Sequence, residues 1–409
     1  MEKREVTSSF QKRAKVKIGQ IPGTRPSLYN NQLLISTGIP TLDNVVGGGL
    51  AVGTVFLVDE DVYGSYARIM LKYFIAEGIM TKQSIFLSSA QEKTIKLVEE
   101  LPAPLEDPTA SVKTEESPSS AVSHNQNQDL KPSEDKTKKQ EEENLKIAWR
   151  YRSKPKVKSS IVSNIKFGHY YDLTKTMSTE NIAAADISHA PSPVDLCCTA
   201  ESSIIPHMNV HYCRLLDDIR SRIEAGKFGT AQQTDTRNIL RIGIHSIGSP
   251  LWGEMGGLKL DGTPDPSLSL FLIALRGVLR SAFAVAMLTL PGHLFHDDLM
   301  VNQLSKLCDT VIKLDSFAGS DKEKNPAFKE YHGLLHVKQL PRLNSFIPAQ
   351  PETSDLAFKL RRKKFTVEKL HLPPELSDTP SRTQSAGDVF SLSQPTSGCG
   401  STSSSKLSF

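Results

Sequence analysis

The sequence predicts an α/β domain: a mostly parallel sheet with helices on both faces and a mixed edge. Three observations carry this. Short apolar runs bounded by turn residues read as buried strands, at Gly53–Val58, Ser84–Ser88, Ile239–Ile244, Ala282–Leu290 and Thr310–Leu314. Between them, apolar residues recur at helical spacing: Met70, Leu71, Phe74, Ile75 and Ile79; Tyr212, Leu215, Leu216, Ile219 and Ile223; Leu268, Phe271, Leu272, Leu275 and Leu279. Strands alternating with helices build parallel sheets with crossover helices on the faces. The late runs, Leu334–Leu340 and Leu356–Leu370, have no helix between them and read as edge strands.

The first strand carries the most chemistry. The residues before it, Ser36 to Asp43 and then Gly47-Gly48-Gly49-Leu50, resemble the approach to a phosphate-binding NTPase core. A phosphate loop, G-x-x-x-x-G-K-[ST], is expected after the strand and before the helix. Its glycines let backbone N–H groups face the phosphates, its lysine reaches the terminal phosphates, and its hydroxyl holds magnesium. Aligned at Val58, Asp59 takes the first glycine's place and Gly64 keeps the second. Ser65 replaces the lysine and Tyr66 the serine or threonine. Asp59, Glu60 and Asp61 put carboxylates where a polyphosphate belongs. Like charges at about 4 Å cost roughly 4 kcal/mol at surface-like dielectric, and phosphoryl chemistry has few substitutes for its lysine. The expectation is a degenerate, structural loop with no cofactor.

Several peptides then carry a resemblance. Ser36 to Leu50 is similar to the lead-in of RecA-like ATPases of the circadian-clock and DNA-repair type. Gly23-Thr24-Arg25-Pro26-Ser27, Ala76-Glu77-Gly78-Ile79, Lys146 to Tyr151, Phe167 to Asp172, Gly248 to Gly253, Tyr331-His332-Gly333-Leu334 and Leu370 to Pro374 are collinear with the family of fourth subunits of the Elongator tRNA-modification complex. The match runs from about Gly23 to Ser377 with two variable interruptions.

The remaining elements follow in order. Residues 1–22 are polar and basic and read as a flexible arm. The domain spans 23–375. Gln91 to Leu101 reads as a helix stopped by Pro102. Residues 103–143 lose apolar periodicity and are rich in Ser, Lys, Glu, Gln and Pro, so they read as a disordered insertion. A basic stretch, Arg150 to Lys158, follows. The aromatics and His169 of Phe167–Asp172 offer stacking surfaces for a base, but packing against the sheet explains them more simply. Residues 178–208 read as a second variable loop, and His211 to Gly226 as a helix stopped by glycine.

At the end of Ile239–Ile244 a RecA-like ATPase places an aspartate for magnesium. Here that position is His245, and an imidazole does not replace a carboxylate on a hard cation. Further on, Asp297-Asp298 opens a helix with its acidic side at the N-terminus. His293, His296 and Asp297 lack a further converging group, so no metal site is read there. After Pro373-Pro374, residues 376–409 form a Ser-rich tail read as disordered.

Composition narrows the class. The chain has 409 residues, enough for one large α/β domain with tails. No window of 18 apolar residues exists, since Arg276 and Arg280 interrupt the most apolar helix, so no membrane span is expected. The five cysteines show no zinc or disulfide spacing and read as reduced intracellular thiols. The expected location is cytoplasmic, also nuclear.

The resemblance implies a non-catalytic RecA-like subunit of a heterohexameric ring formed with the fifth and sixth Elongator subunits. That ring binds tRNA, docks on the catalytic Elongator subcomplex and supports wobble-uridine C5 modification. Two alternatives remain: an ATPase subunit whose site is completed across an interface, and a recombinase-like DNA binder. The net charge of +4 is too small for tight RNA binding by the chain alone. Candidate tRNA contacts are Lys259, Lys322, Lys324 and Lys329 on loops that follow strands. A rival patch is Arg361, Arg362, Lys363 and Lys364 on the last strand.

Overall fold

A small antiparallel sheet opens the chain: β1 (Thr24–Pro26), β2 (Leu33–Ile35) and β3 (Leu50–Ala51), with helix α1 (Pro40–Val45) between β2 and β3. β4 (Val55–Asp59) follows, then α2 (Ser65–Met80), β5 (Ser84–Ser89), α3 (Thr94–Glu99) and β6 (Pro102–Pro104). β7 (Tyr171–Thr176), α4 (Thr179–Ala183), β8 (Ile187–His189), α5 (Val210–Ala225) and β9 (Leu240–His245) come next. The chain continues through α6 (Ser267–Arg280), β10 (Ala284–Leu290), α7 (Asp298–Leu307), β11 (Thr310–Ser316) and α8 (Asp321–Lys324). It closes with β12 (Gly333–Gln339), β13 (Leu356–Leu360) and β14 (Phe365–Lys369). This computed structural model describes residues 21–27, 30–105, 167–195, 207–232, 236–253, 258, 265–344, 351 and 353–371.

Among the described residues the main sheet has nine strands in the order β14-β13-β12-β11-β4-β10-β9-β5-β8. β11, β4, β10, β9, β5 and β8 run parallel, and β12, β13 and β14 add an antiparallel edge. The sheet is therefore mixed, and its parallel character is partial.

Alternation along β4 divides the core into two layers. Phe56 and Val58 pack with Met70, Leu71, Phe74 and Ile75 of α2. Val55 and Leu57 pack with Tyr212 and Leu216 of α5 and with Phe271, Leu275 and Leu279 of α6. Each fully buried aliphatic or aromatic side chain contributes about 1.5–3 kcal/mol, so all three helix stripes read from the sequence carry the fold.

α2 is the most deeply enclosed helix, buried at nearly every position from Met70 to Ile79. That burial forces its polar residues to find partners. Glu77 accepts a hydrogen bond from Tyr171 Oη at 2.7 Å and from the His169 backbone N–H at 3.0 Å. Burial alone raises the Glu77 pKa, yet His169, Arg241 and Tyr171 together hold it below the usual carboxylate range. Arg241 of β9 is fully buried and donates to Gln83 Oε1 at 2.6 Å and to the Ser36 carbonyl at 2.8 Å. The Phe167–Asp172 motif thus contributes packing and hydrogen bonds at its centre. His169 and Tyr171 are committed to Glu77, while Tyr170 is exposed.

Several sequence expectations need correction. The helix read over Gln91–Leu101 is only Thr94–Glu99, because Pro102 begins a strand that pairs with β7. Residues 103–105, assigned to the insertion, lie in or beside that pair; the rest of 103–143 lies outside the described residues. The stretch 178–208 is not all loop: it holds α4 and β8, and β8 pairs parallel with β5. Arg361–Lys364 are not strand residues but the turn joining β13 and β14. The arm's last residues, Ile21 and Pro22, lie against the core, where the Pro22 carbonyl accepts from Gln83 Nε2 at 2.9 Å. The Lys146–Tyr151 motif, Arg150–Lys158 and the tail 376–409 lie outside the described residues.

Candidate functional site: the loop between β4 and α2

The chain leaves β4 towards β5 on one side and leaves β10 towards β11 on the other. Such a reversal opens a crevice at the carboxyl ends of parallel strands, the usual place for a ligand in an open α/β sheet. The loop from Glu60 to Gly64 sits there. Glu60 N–H donates to the Leu290 carbonyl at 2.9 Å, and Gly64 N–H donates to the Asp61 carbonyl at 2.7 Å. Gly64, at φ 64°, then starts α2 in the left-handed region that a side chain resists.

The first amides of a helix are an anion-binding site. In this loop the anion comes from the chain itself. Asp61 is buried, and its Oδ1 accepts the Tyr66 backbone N–H at 3.1 Å. Ser65 is exposed, and its hydroxyl reaches only the Tyr63 carbonyl at 3.5 Å. The Tyr66 ring centroid lies 4.7 Å from that of Phe358. Phe365 and His332 complete the ring cluster.

The other two carboxylates are also buried. Gly292 approaches Asp59 so closely that any Cβ there would collide with Oδ1. Burial raises the Asp59 pKa to about 6, against the opposing pull of Lys313, the Gly292 N–H and Lys338. Burial also raises Glu60 to about 7, although hydroxyls of Thr289 and Ser246 favour its charged form. Glu60 Oε1 has no hydrogen-bond partner, nor has Asp61 Oδ2. His245 closes β9 with Nδ1 3.3 Å from Ser89 Oγ and 3.7 Å from Glu92 Oε1. Burial pushes its pKa down to about 4, so the imidazole is neutral near pH 7 and its contact with Glu92 is not an ion pair.

A cleft of about 400 Å³ remains above this floor, bordered by Glu60, Tyr63, Arg68, Gln91, His245 and Leu294. Arg68 is already committed: it forks onto Glu92 at 2.6 and 2.7 Å and reaches Glu100 at 2.7 Å. Lys72 shares Glu100 at 2.8 Å. This network was not read from the sequence, although Lys72 and Glu77 on the apolar face of α2 were a signal that partners were needed. Among the described residues no group of three His, Cys, Asp or Glu side chains is placed to hold a metal. Asp297 instead caps α7, accepting the Leu299 N–H at 2.8 Å.

The basic candidates share one edge. β13 runs parallel to β11 across β12, so the Arg361–Lys364 turn and the loop after β11 both lie at the sheet's carboxyl edge. Lys322 and Lys324 sit on α8, Lys329 follows it, and all three are exposed. Their loop also carries Asp321, Glu323 and Glu330, and Lys322 Nζ lies 4.0 Å from Asp315. It therefore has no net positive charge. The turn at Arg361, Arg362, Lys363 and Lys364 is basic and exposed throughout. Lys259 lies outside the described residues. No helix among the described residues is long and apolar enough to cross a membrane.

Fold and loop together define an α/β protein with a strand–loop–helix at the sheet's crevice, in which the Asp61 carboxylate takes a backbone amide of the helix's first turn. The PAXNEB protein family model matches residues 17–408. Elongator complex protein 4 of Danio rerio is 46% identical, over 93% of this chain and 91% of that protein. Elongator complex protein 4 of Xenopus laevis is 41% identical, over 96% and 93%. That of Homo sapiens is 42% identical, over 93% and 86%. The chain belongs to the PAXNEB family, the family of Elongator complex protein 4.

Proposed function

We propose that the chain is a non-catalytic, RecA-like subunit of Elongator. In this reading it joins the fifth and sixth subunits in a heterohexameric ring, and the ring docks on the catalytic subcomplex. The ring binds tRNA in support of wobble-uridine C5 modification, in the cytoplasm and also in the nucleus. The relatives' shared name supports membership of the complex. The observation that carries the non-catalytic part is Asp61: its carboxylate takes an amide of the α2 N-terminus, beside a Tyr66 ring in place of the magnesium ligand. Among the described residues a phosphate arriving there meets Glu60 and an Arg68 already bound to Glu92 and Glu100, and no lysine lines the cleft.

A subunit without nucleotide at its interface must hold its neighbours by protein contacts. The expected result is therefore a stable complex on co-expression with the fifth and sixth subunits, persisting through size exclusion without added ATP. A chain that elutes alone overturns the reading.

A further inference from the structure

β7 and the turn joining β13 to β14 share one surface, because Leu173 N–H donates to the Lys363 carbonyl at 2.8 Å. Between them lies a cleft of about 450 Å³. Its floor is apolar, formed by the half-buried Ile69, Leu173 and Leu360, and its rim carries the exposed Lys175, Arg361 and Arg362. Glu100 is the one carboxylate among the described residues that borders it, and Arg68 and Lys72 already hold that group at 2.7 and 2.8 Å. Asp172, near Lys175 and Lys363, is likewise engaged, accepting from Thr174 N–H at 2.9 Å and Oγ1 at 2.6 Å. The rim therefore keeps an excess of positive charge.

An exposed aromatic stands beside this rim. Tyr170 immediately precedes β7 and, with Lys364 of the same turn, borders a second, small cavity. Its backbone is fixed: the Tyr170 carbonyl accepts from Leu105 N–H at 2.7 Å, and the side chains of His169 and Tyr171 on either side are bound to Glu77. Tyr170 itself is 47% exposed. Packing accounts for its two neighbours and not for this ring. Cations beside an exposed aromatic suit single-stranded nucleic acid, whose phosphates and base faces are both accessible. A duplex keeps its base faces stacked inside, where Tyr170 does not reach them.

We infer that a single-stranded nucleic-acid segment crosses this surface, with an unpaired base stacked on the Tyr170 ring and the neighbouring phosphates against Lys175, Arg361 and Arg362. Lys175 and Tyr170 thereby join the basic turn in one site, and the apolar floor receives a sugar or a second base. The inference rests on the tRNA reading above for the identity of the nucleic acid, and goes beyond it in requiring that the bound nucleotides be unpaired.

The test uses the full chain, alone and co-expressed with the fifth and sixth Elongator subunits, because the site lies wholly on this chain. The probes are an oligouridine of about eight nucleotides and an RNA duplex of equal charge. Tyr170→Ala is expected to weaken the oligouridine about tenfold and leave the duplex unchanged. Tyr170→Trp is expected to retain affinity, and neither variant to change the melting temperature. Lys175→Gln is expected to lower the slope of log K against log salt by roughly 0.7. With 5-iodouridine in the oligomer, irradiation is expected to attach it at Tyr170.

Tight tRNA binding in which either Tyr170→Ala or Lys175→Gln leaves the oligouridine unaffected overturns the inference while the tRNA reading stands. Equal losses on single strand and duplex overturn it too. Displacement of the oligouridine by an oligoglutamate of equal charge also overturns it, and marks the cleft as an acidic-peptide site. A protein that binds neither tRNA nor the oligouridine, alone or assembled, overturns both readings.

Discussion

The Tyr66 ring lies 4.7 Å from the Phe358 ring, tilted by 54°, and so ties the first turn of α2 to the antiparallel edge of the sheet. Aromatic pairs of this geometry contribute about 0.5–1.5 kcal/mol beyond their area. Tyr66→Ser restores the hydroxyl of an ordinary phosphate loop but removes this ring pair. It is expected to destabilise the chain by about 1–3 kcal/mol, a partly buried aromatic truncation, without creating nucleotide affinity. Denaturant unfolding and titration with a nucleotide analogue check the two halves.

The unmodified chain is expected to show no appreciable binding of such an analogue with Mg²⁺ present. Micromolar binding that disappears on changing Ser65 or Tyr66 would contradict the loop's geometry.

Asp61→Ala removes the acceptor of the Tyr66 N–H. Loss of a helix cap costs about 0.5–2 kcal/mol, and the freed Tyr66 amide becomes available to an anion. Lower stability that is partly rescued by millimolar sulfate is the expected outcome, read from thermal unfolding with and without the salt.

Glu60 makes a pH-dependent contribution of definite sign. Its folded pKa, about 7, lies above the ordinary glutamate value of 4.5, so the folded state binds more protons between those values. Stability owed to the protonated form is present at low pH and lost as pH rises towards 7. His245 opposes this: burial lowers its pKa to about 4, so acidification below about 6.5 favours the unfolded chain. The difference between the chain and Glu60→Gln separates the two. That variant is expected to gain relative stability from pH 4.5 to 7, reaching on the order of 3 kcal/mol. A flat difference profile would contradict the burial of Glu60.

In the proposed role on tRNA, the basic turn is expected to contribute more than the loop after β11, because Lys322, Lys324 and Lys329 are interleaved with carboxylates. Replacing Arg361 and Arg362 by glutamine in the assembled ring is expected to weaken all tRNAs about equally. The slope of log K against log salt should fall by roughly 0.7–0.9 for each phosphate that is no longer neutralised. Lys322→Gln with Lys324→Gln is expected to change less. Sequence-selective weakening in either variant would contradict a phosphate-binding role.

Five of the sheet's six parallel strands and the stripes of α2, α5 and α6 were legible because burial leaves apolar runs and periods that survive in the residues themselves. β6 and β8 were not, since strands of three residues carry no period. The Arg361–Lys364 turn was hidden because four charged residues continue a strand-like run without glycine or proline. Of the candidate site, the acidic run Asp59–Asp61 and the place of His245 at a strand end were plain in the sequence. What Asp61 does was not, because a carboxylate turned inward to its own helix and one turned outward to solvent look alike in a sequence. The Glu77–Arg241 region was invisible for a different reason: its partners are more than ninety positions apart and meet only once the sheet forms.

A helix terminus satisfied from within has a thermodynamic corollary. A ligand stabilises a fold only through its free concentration relative to a dissociation constant, and it shifts a conformation only by its unequal affinity for two states. Asp61 is covalently part of the loop and never dissociates. The contact between Asp61 and the Tyr66 amide is therefore set by the chain's own geometry and not by the concentration of a dissolved anion.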